Sequence, residues 1–133
     1  MKLTNKTEYA LLALIYLARS ESDNYITVEM ISKKQNISVK FLEQILLILK
    51  RAKYLYSFKG QNGGYKLAKP ANKINLAEVI RLFDGALAPT ESVSKYYYEK
   101  TPIEKEKSLV KVFRDIRDYI SDKLENTTLD QLV

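Results

Sequence analysis

Residues 31–67 constrain the chain more than any other stretch. An apolar-periodic segment gives way to a polar break, Lys33-Lys34-Gln35-Asn36-Ile37-Ser38, and then to a second, strongly periodic segment over residues 39–52. Leu55-Tyr56-Ser57-Phe58-Lys59-Gly60-Gln61-Asn62-Gly63-Gly64-Tyr65-Lys66-Leu67 follows, two short strand-like runs joined by a glycine-rich tip. Helical periodicity, a tight turn, helical periodicity again and then a hairpin signal spell a winged helix-turn-helix.

In the second helix of the pair, Leu42, Ile45, Leu46, Leu49 and Ala52 recur at helical spacing, so that face must be buried. Ser38 is the expected N-cap. Lys40, Gln44 and Arg51 project elsewhere, with Phe41 at the edge. Near the amino end of a recognition helix, side chains reach base edges in the major groove; Gln suits a bidentate contact with adenine, and Lys donates to guanine. Gln44 and Lys40 are therefore the first candidates for base readout. Ser38, Val39, Phe41 and Arg51 complete the set on this helix.

In the hairpin, Asn62-Gly63 marks a turn that needs positive φ. Gly60, Gly63 and Gly64 let backbone approach a sugar-phosphate chain, and Lys59 and Lys66 stand at the roots to pair with phosphates. Gln61, Asn62 and Tyr65 are the remaining candidate wing contacts. The spacing of a nucleotide phosphate loop is absent.

Charge is distributed to match. Residues 33–69 hold nine Lys/Arg against the single acid Glu43, while the rest of the chain holds thirteen bases against fifteen acids. A basic block centred on a helix-turn-helix is the footprint of a phosphate backbone. The chain has no cysteine and no histidine, so thiolate-held iron–sulfur clusters, Cys/His zinc sites, disulfide switches and Cys- or His-based catalysis lack their donors. No Asp series of the calcium-loop kind is present, and no constellation of carboxylate, Lys, Tyr and Ser suggests an enzyme. We expect no cofactor and no metal. With no secretory leader at its start and an apolar run, residues 9–18, too short to span a bilayer, the chain is expected to be cytoplasmic and to have no membrane partner.

The remaining segments are placed by periodicity and capping. Residues 5–19 put Tyr9, Leu12, Ala13, Tyr16 and Leu17 on one helix face, with Asn5 and Glu8 as a capping box. Lys2, Thr4 and Lys6 lie just ahead, either to meet a phosphate or as ordinary exposed residues. A polar connection spans residues 20–25, and Thr27 caps a short helix with Val28 and Ile31 that ends near Asn36. Beyond Pro70, Asn75 and Glu78 open a helix carrying Val79, Ile80, Leu82 and Phe83, which Gly85 stops. Tyr96, Tyr97 and Tyr98 cannot all face one way; one or two are expected to pack under the next helix, the others to be exposed or to line a pocket.

Thr101-Pro102-Ile103-Glu104 combines an N-cap, Pro at the first helical position and Glu at the third, predicting a helix to about residue 125, roughly 35 Å long. Its apolar row of Leu109, Val112, Phe113, Ile116, Tyr119, Ile120 and Leu124 exceeds what a small domain needs. The economical partner is the same helix of a second chain, through Leu109, Val112, Phe113, Ile116 and Ile120. In the closing tail, Leu129, Leu132 and Val133 are expected to dock on the body. The expected architecture is mainly α with a small β-hairpin wing: residues 1–85 a winged helix-turn-helix DNA-binding domain, 86–101 a loop, and 102–133 a dimerisation helix with its docking tail.

With these residues in place the chain resembles the Rrf-two family of bacterial winged-helix regulators. The likeness runs end to end: Lys2-Leu3-Thr4 and Tyr9-Ala10, Ile37-Ser38 followed by Phe41-Leu42-Glu43-Gln44, Gly60 with Gly63-Gly64-Tyr65, Glu78-Val79-Ile80, and Asn126-Thr127-Thr128-Leu129. It implies a dimeric transcription factor whose helix with Ser38, Lys40, Phe41 and Gln44 enters the major groove while residues 60–64 reach the minor groove. Many relatives hold an iron–sulfur cluster through three cysteines in the loop before the long helix. Residues 91–101 have none, and Ser92 lies where the first would be expected. Glu91-Ser92-Val93 and the Asn126-Thr127-Thr128-Leu129 tail look more like the cluster-free cysteine-metabolism repressors, whose signal comes through a partner enzyme. Relatives often flank the first wing glycine with Arg and Pro; Lys59 and Gln61 stand here, and Lys lacks bidentate geometry.

The expected function is thus that of a homodimeric, sequence-specific regulator of double-stranded DNA, a repressor because occupancy of a promoter suffices. The resemblance points to cysteine, sulfur or iron–sulfur metabolism. Its effector is either a small molecule or a protein partner, acting near Ser92, Tyr96, Tyr97 and Tyr98. The alternative is a dimeric interaction module that keeps the fold and binds DNA without sequence preference.

Overall fold

The first helix, α1 (Asn5–Arg19), is central because its inward face is narrow: Ala10 and Ala13 are buried with Leu14, Leu17 and Thr7, and the alanines admit neighbouring helices closely. The computed structural model describes residues 1–20 and 23–133; Glu21 and Ser22, within the polar connection expected at 20–25, lie outside the described residues. The buried row is offset from the expected one. Of the expected row Ala13 and Leu17 are buried, whereas Leu12 is exposed and Tyr9 and Tyr16 are only half-buried; Ala10 and Leu14 take the remaining inward positions. The cap is also one residue earlier than expected: the Thr4 hydroxyl, not Asn5, accepts from the Thr7 N–H.

The helix-turn-helix consists of α2 (Val28–Gln35) and α3 (Val39–Arg51). Thr27 caps α2 by accepting from the Met30 N–H, and Ser38 caps α3 by accepting from the Phe41 N–H. Between them Asn36 adopts a left-handed φ of 56°, which reverses the chain in three residues, and Ile37 drops into the core. Leu42, Ile45, Leu46 and Leu49 are fully buried, each contributing about 1.5–3 kcal/mol through burial.

After α3, Lys53 takes a φ of 73° and Tyr54 bonds back to the Leu49 carbonyl at 2.9 Å, aiming the chain into the wing. Strands β1 (Leu55–Phe58) and β2 (Gly64–Leu67) pair antiparallel, Leu55 opposite Leu67 and Phe58 opposite Gly64. A third segment, invisible to periodicity, joins them: Ile26 and Tyr65 exchange both backbone hydrogen bonds at 2.8 Å. That bridge ties the wing to the entrance of α2.

Asn75 caps α4 (Leu76–Asp84) by accepting from the Glu78 N–H, and Gly85 ends it at a φ of 82°. Ala77, Ile80 and Leu87 form a second small core, which Ile120 and Leu124 of α5 (Lys107–Glu125) cover. An ion pair at 2.8 Å between Arg81 and Glu125 seals that contact; the hydrogen bond from Arg81 holds the Glu125 carboxyl below its usual range.

Two expectations for the carboxyl-terminal part are corrected. A continuous helix from Pro102 is replaced by a 3-10 turn at Pro102–Lys105, a break at Glu106 with φ −120° and ψ 99°, and 19 residues of α5, roughly 28 Å. The sequence signal at Thr101 is real but overridden, since its hydroxyl donates to Ser92 at 2.6 Å instead of capping. In the tail only Leu129 docks, beneath a bridge between Asn75 and Thr128; Leu132 and Val133 return to the surface, where the Leu132 carbonyl meets Arg19 at 3.5 Å. Among the described residues no helix is long and apolar enough to cross a membrane.

Candidate nucleic-acid interface

With one side of α3 buried, its other side is displayed. Lys40, Gln44 and Arg51 are all exposed, and their spacing of four and seven residues sets them along one stripe. Leu47, 40% exposed, falls within the same stripe and was missed because it reads as one more core leucine. An apolar side chain there suits a thymine methyl group. Ser38 uses its hydroxyl for the cap, Val39 is half-buried, and Phe41 packs edge-on against Tyr9 with ring centroids 5.5 Å apart. Phe41 is therefore engaged in the contact between α3 and α1.

The wing presents Lys59, Gly60, Gln61 and Asn62 at an exposed tip. Positive φ falls at Asn62, 64°, whereas Gly63 is required by space: a Cβ there would sit 2.2 Å from the Phe58 carbonyl oxygen. Gly64 combines a φ of 142° with a position where a Cβ would lie 2.3 Å from the Ile26 carbonyl oxygen. Tyr65 is half-buried against the core, its phenol pushed up by burial and then by the charge of Glu43. Lys66 is turned to the flank, 4.9 Å from the Tyr25 ring centroid.

That flank carries a second feature not foreseen. Tyr56 and Phe58 alternate outward along β1, both exposed, and Phe58 lies 5.6 Å from Tyr25. The signal was the two-residue period of Tyr56 and Phe58 opposite a buried Leu55. At the amino end, Lys2 is exposed, while Thr4 is held by Asp84 through its hydroxyl at 2.7 Å and its N–H at 3.2 Å. Among the described residues none of the nine bases of residues 33–69 is ion-paired, so the positive field over α3 and the wing is not quenched.

In the loop before α5, Ser92 accepts from Thr101, which lies 3.3 Å from the Thr90 hydroxyl. Tyr96, Tyr97 and Tyr98 are 68%, 47% and 59% exposed, so none packs under α5 as expected for one or two of them. Their surroundings explain it: Arg81 stacks on Tyr96 at 4.9 Å, Ser94 accepts the Tyr97 N–H at 2.9 Å, and the Tyr98 phenol donates to Glu104 at 2.5 Å, which raises its pKa. On α5, Leu109, Val112 and Ile116 are exposed and Phe113 is half-buried, whereas Ile120 is engaged with α4.

A family model described as Rrf2, iron-dependent transcriptional regulator, matches residues 3–133. The chain is 33% identical to the transcriptional regulator IscR of Pectobacterium carotovorum, over 100% of this chain and 79% of that one. It is 29% identical to CymR of Bacillus subtilis, over 99% of this chain and 89% of that one. The solved structure of that CymR, the global cysteine regulator of B. subtilis, superposes with a TM-score of 0.80 at 27% identity, covering 99% and 95% of the two chains. Against two Neisseria meningitidis regulators, 39% identical, the match spans 64% of their length. These relatives are transcriptional regulators, not enzymes.

The family description names iron, and the residues here do not fit it. The sequence offers no thiol or imidazole, and among the described residues no three carboxylates converge. In the loop before α5, the Thr101 hydroxyl bonds to both Ser92 and Thr90, so the polar groups there are engaged with one another and present no ligand set.

Proposed function

The chain belongs to the Rrf2 family of transcriptional regulators, and from that premise we propose that it acts in the cytoplasm as a homodimer reading a two-fold-symmetric DNA site and repressing by occupancy. The observation that carries this reading is the exposed stripe Lys40–Gln44–Leu47–Arg51 on a helix whose opposite face is fully buried, beside a wing whose bases form no ion pair among the described residues. Residues 1–85 would grip DNA, α5 would join two chains through Leu109, Val112, Phe113 and Ile116, and the loop at 86–101 would receive the signal. Two such units place their recognition helices one helical turn of DNA apart, about 34 Å. The likeness to a global cysteine regulator favours genes of cysteine and sulfur metabolism.

Selection of sites from random or genomic DNA by the purified protein, followed by affinities for the winner and a scrambled duplex across a salt series, tests the proposal. A dyad-symmetric winner held far above the scrambled control supports it. Equal, salt-sensitive binding to both would overturn sequence readout and favour the interaction module.

A further inference from the structure

We propose that the pocket between the loop at Ser92, the turn at Pro102–Lys105 and the first turns of α5 binds a small free α-amino acid as its zwitterion. This deepens the reading of residues 86–101 as the part that receives the signal.

The pocket has a volume of about 420 Å³ and is lined by Ser92, Tyr98, Glu104, Lys107, Val110 and Arg114. Three of these come from α5 at positions i, i+3 and i+7, a row beside the exposed Leu109–Val112–Ile116 row and distinct from it. Its charges are separated rather than mutually neutralised. Glu104 is fixed by the Tyr98 phenol at 2.5 Å, and neither Lys107 nor Arg114 forms an ion pair among the described residues. Ser92 accepts from Thr101 and keeps its own proton for a ligand.

A ligand that satisfies all of this needs a cationic donor for Glu104 and an anion for Lys107 and Arg114. The α-ammonium and α-carboxylate of a free amino acid supply both on adjacent atoms. The Ser92 hydroxyl adds a donor, and Val110 offers a surface for a short side chain. A phosphate or other dianion is disfavoured by the Glu104 carboxylate, and a purely apolar ligand would cover Lys107 and Arg114 without giving either an anion. Occupancy would draw α5 toward the Tyr98–Glu104 segment through Lys107 and Arg114. The tilt of α5 sets the spacing of two recognition helices in a dimer, so the same contact gives the pocket a route to DNA affinity.

Isothermal titration calorimetry of the full chain without DNA, with individual proteinogenic L-amino acids, tests the proposal. Saturable binding of at least one amino acid is expected, at one site per chain. Its N-acetyl derivative and its decarboxylated amine should each bind about 10-fold or more weakly, since each lacks one charge-assisted partner. Glu104→Gln and Arg114→Gln should lose the heat of binding while keeping the unliganded melting temperature, which shows that they fold. Absence of both heat and thermal shift with every amino acid would overturn the proposal, as would equal affinity for the N-acetyl derivative or wild-type binding by both variants. Because the titration needs no DNA, its failure removes the pocket alone, whereas failure of site selection removes the DNA reading alone.

Discussion

Asp84, the last residue of α4, receives two hydrogen bonds from Thr4, one from its hydroxyl at 2.7 Å and one from its N–H at 3.2 Å. The same hydroxyl accepts from the Thr7 N–H, so one side chain caps α1 and pins its start to the end of α4. Thr4→Ala removes the cap and the hydroxyl bond to Asp84, keeps the backbone N–H bond, and is expected to lower stability by about 1–2 kcal/mol. Denaturant unfolding measures it. Loss of DNA affinity with unchanged stability would instead make Thr4 a phosphate contact.

Gly63 and Gly60 occupy the same tip for different reasons, and their alanine variants separate them. A Cβ at Gly63 meets backbone that cannot move without undoing the hairpin, whereas Gly60 has open space and only a φ of 104° to strain, about 1–3 kcal/mol. Gly63→Ala is expected to reduce DNA affinity by about 10-fold or more through loss of wing contacts, with helical circular dichroism retained. Gly60→Ala should have the smaller effect.

On α3, Gln44→Ala should cost about 1–3 kcal/mol on the selected site and little on random DNA. Leu47→Ala is expected to weaken binding only where a thymine lies under it. Competitive binding to matched duplexes that differ at single base pairs reads both; equal loss on every sequence would remove Gln44 from readout.

What could be read from sequence divides along a physical line. Caps whose chemistry is local, Thr27, Ser38 and Asn75, were legible, as were the buried face of α3 and the glycine-tipped hairpin, because residue type and spacing alone decide them. Where a distant residue competes, local signals mislead: Asp84 selects Thr4 over Asn5, and Ser92 draws Thr101 away from Pro102. The Ile26–Tyr65 bridge pairs residues far apart in the chain and left no periodic trace. On the exposed stripe of α3, residue type marked Lys40 and Gln44 as candidates but concealed Leu47, since exposure of a leucine depends on where the helix is docked.

Val112 and Ile116 lie one turn apart on α5, 53% and 41% exposed, with the helix anchored at its other end by Ile120 and Leu124. Val112→Asp with Ile116→Asp should leave each chain folded and convert the proposed dimer to monomers in light scattering. Affinity for a dyad site should then fall toward that for half a site. A double variant that remains dimeric would place the interface elsewhere.

Tyr54 gives the fold a signature in alkali. Its ring is buried under Lys69, whose ammonium lies 4.5 Å from the centroid, yet its pKa is raised from 10.0 to about 12, first by burial and then by the charge of the nearby Glu78. A phenol whose folded pKa exceeds its unfolded one contributes stability that is complete below pH 10 and lost as the pH climbs toward 12, because the unfolded chain releases the proton first. The raised phenols of Tyr65 and Tyr98 act with the same sign, so the wild-type slope alone cannot assign the effect. Tyr54→Phe keeps the ring and removes the proton. Melting temperatures across pH 9 to 12 are therefore expected to fall less steeply in the variant, the offset between the two curves constant below about pH 10 and moving in the variant's favour above it. Parallel curves throughout would mean that Tyr54 ionises as freely in the folded protein as in the unfolded chain, and that Glu78 exerts no hold on it.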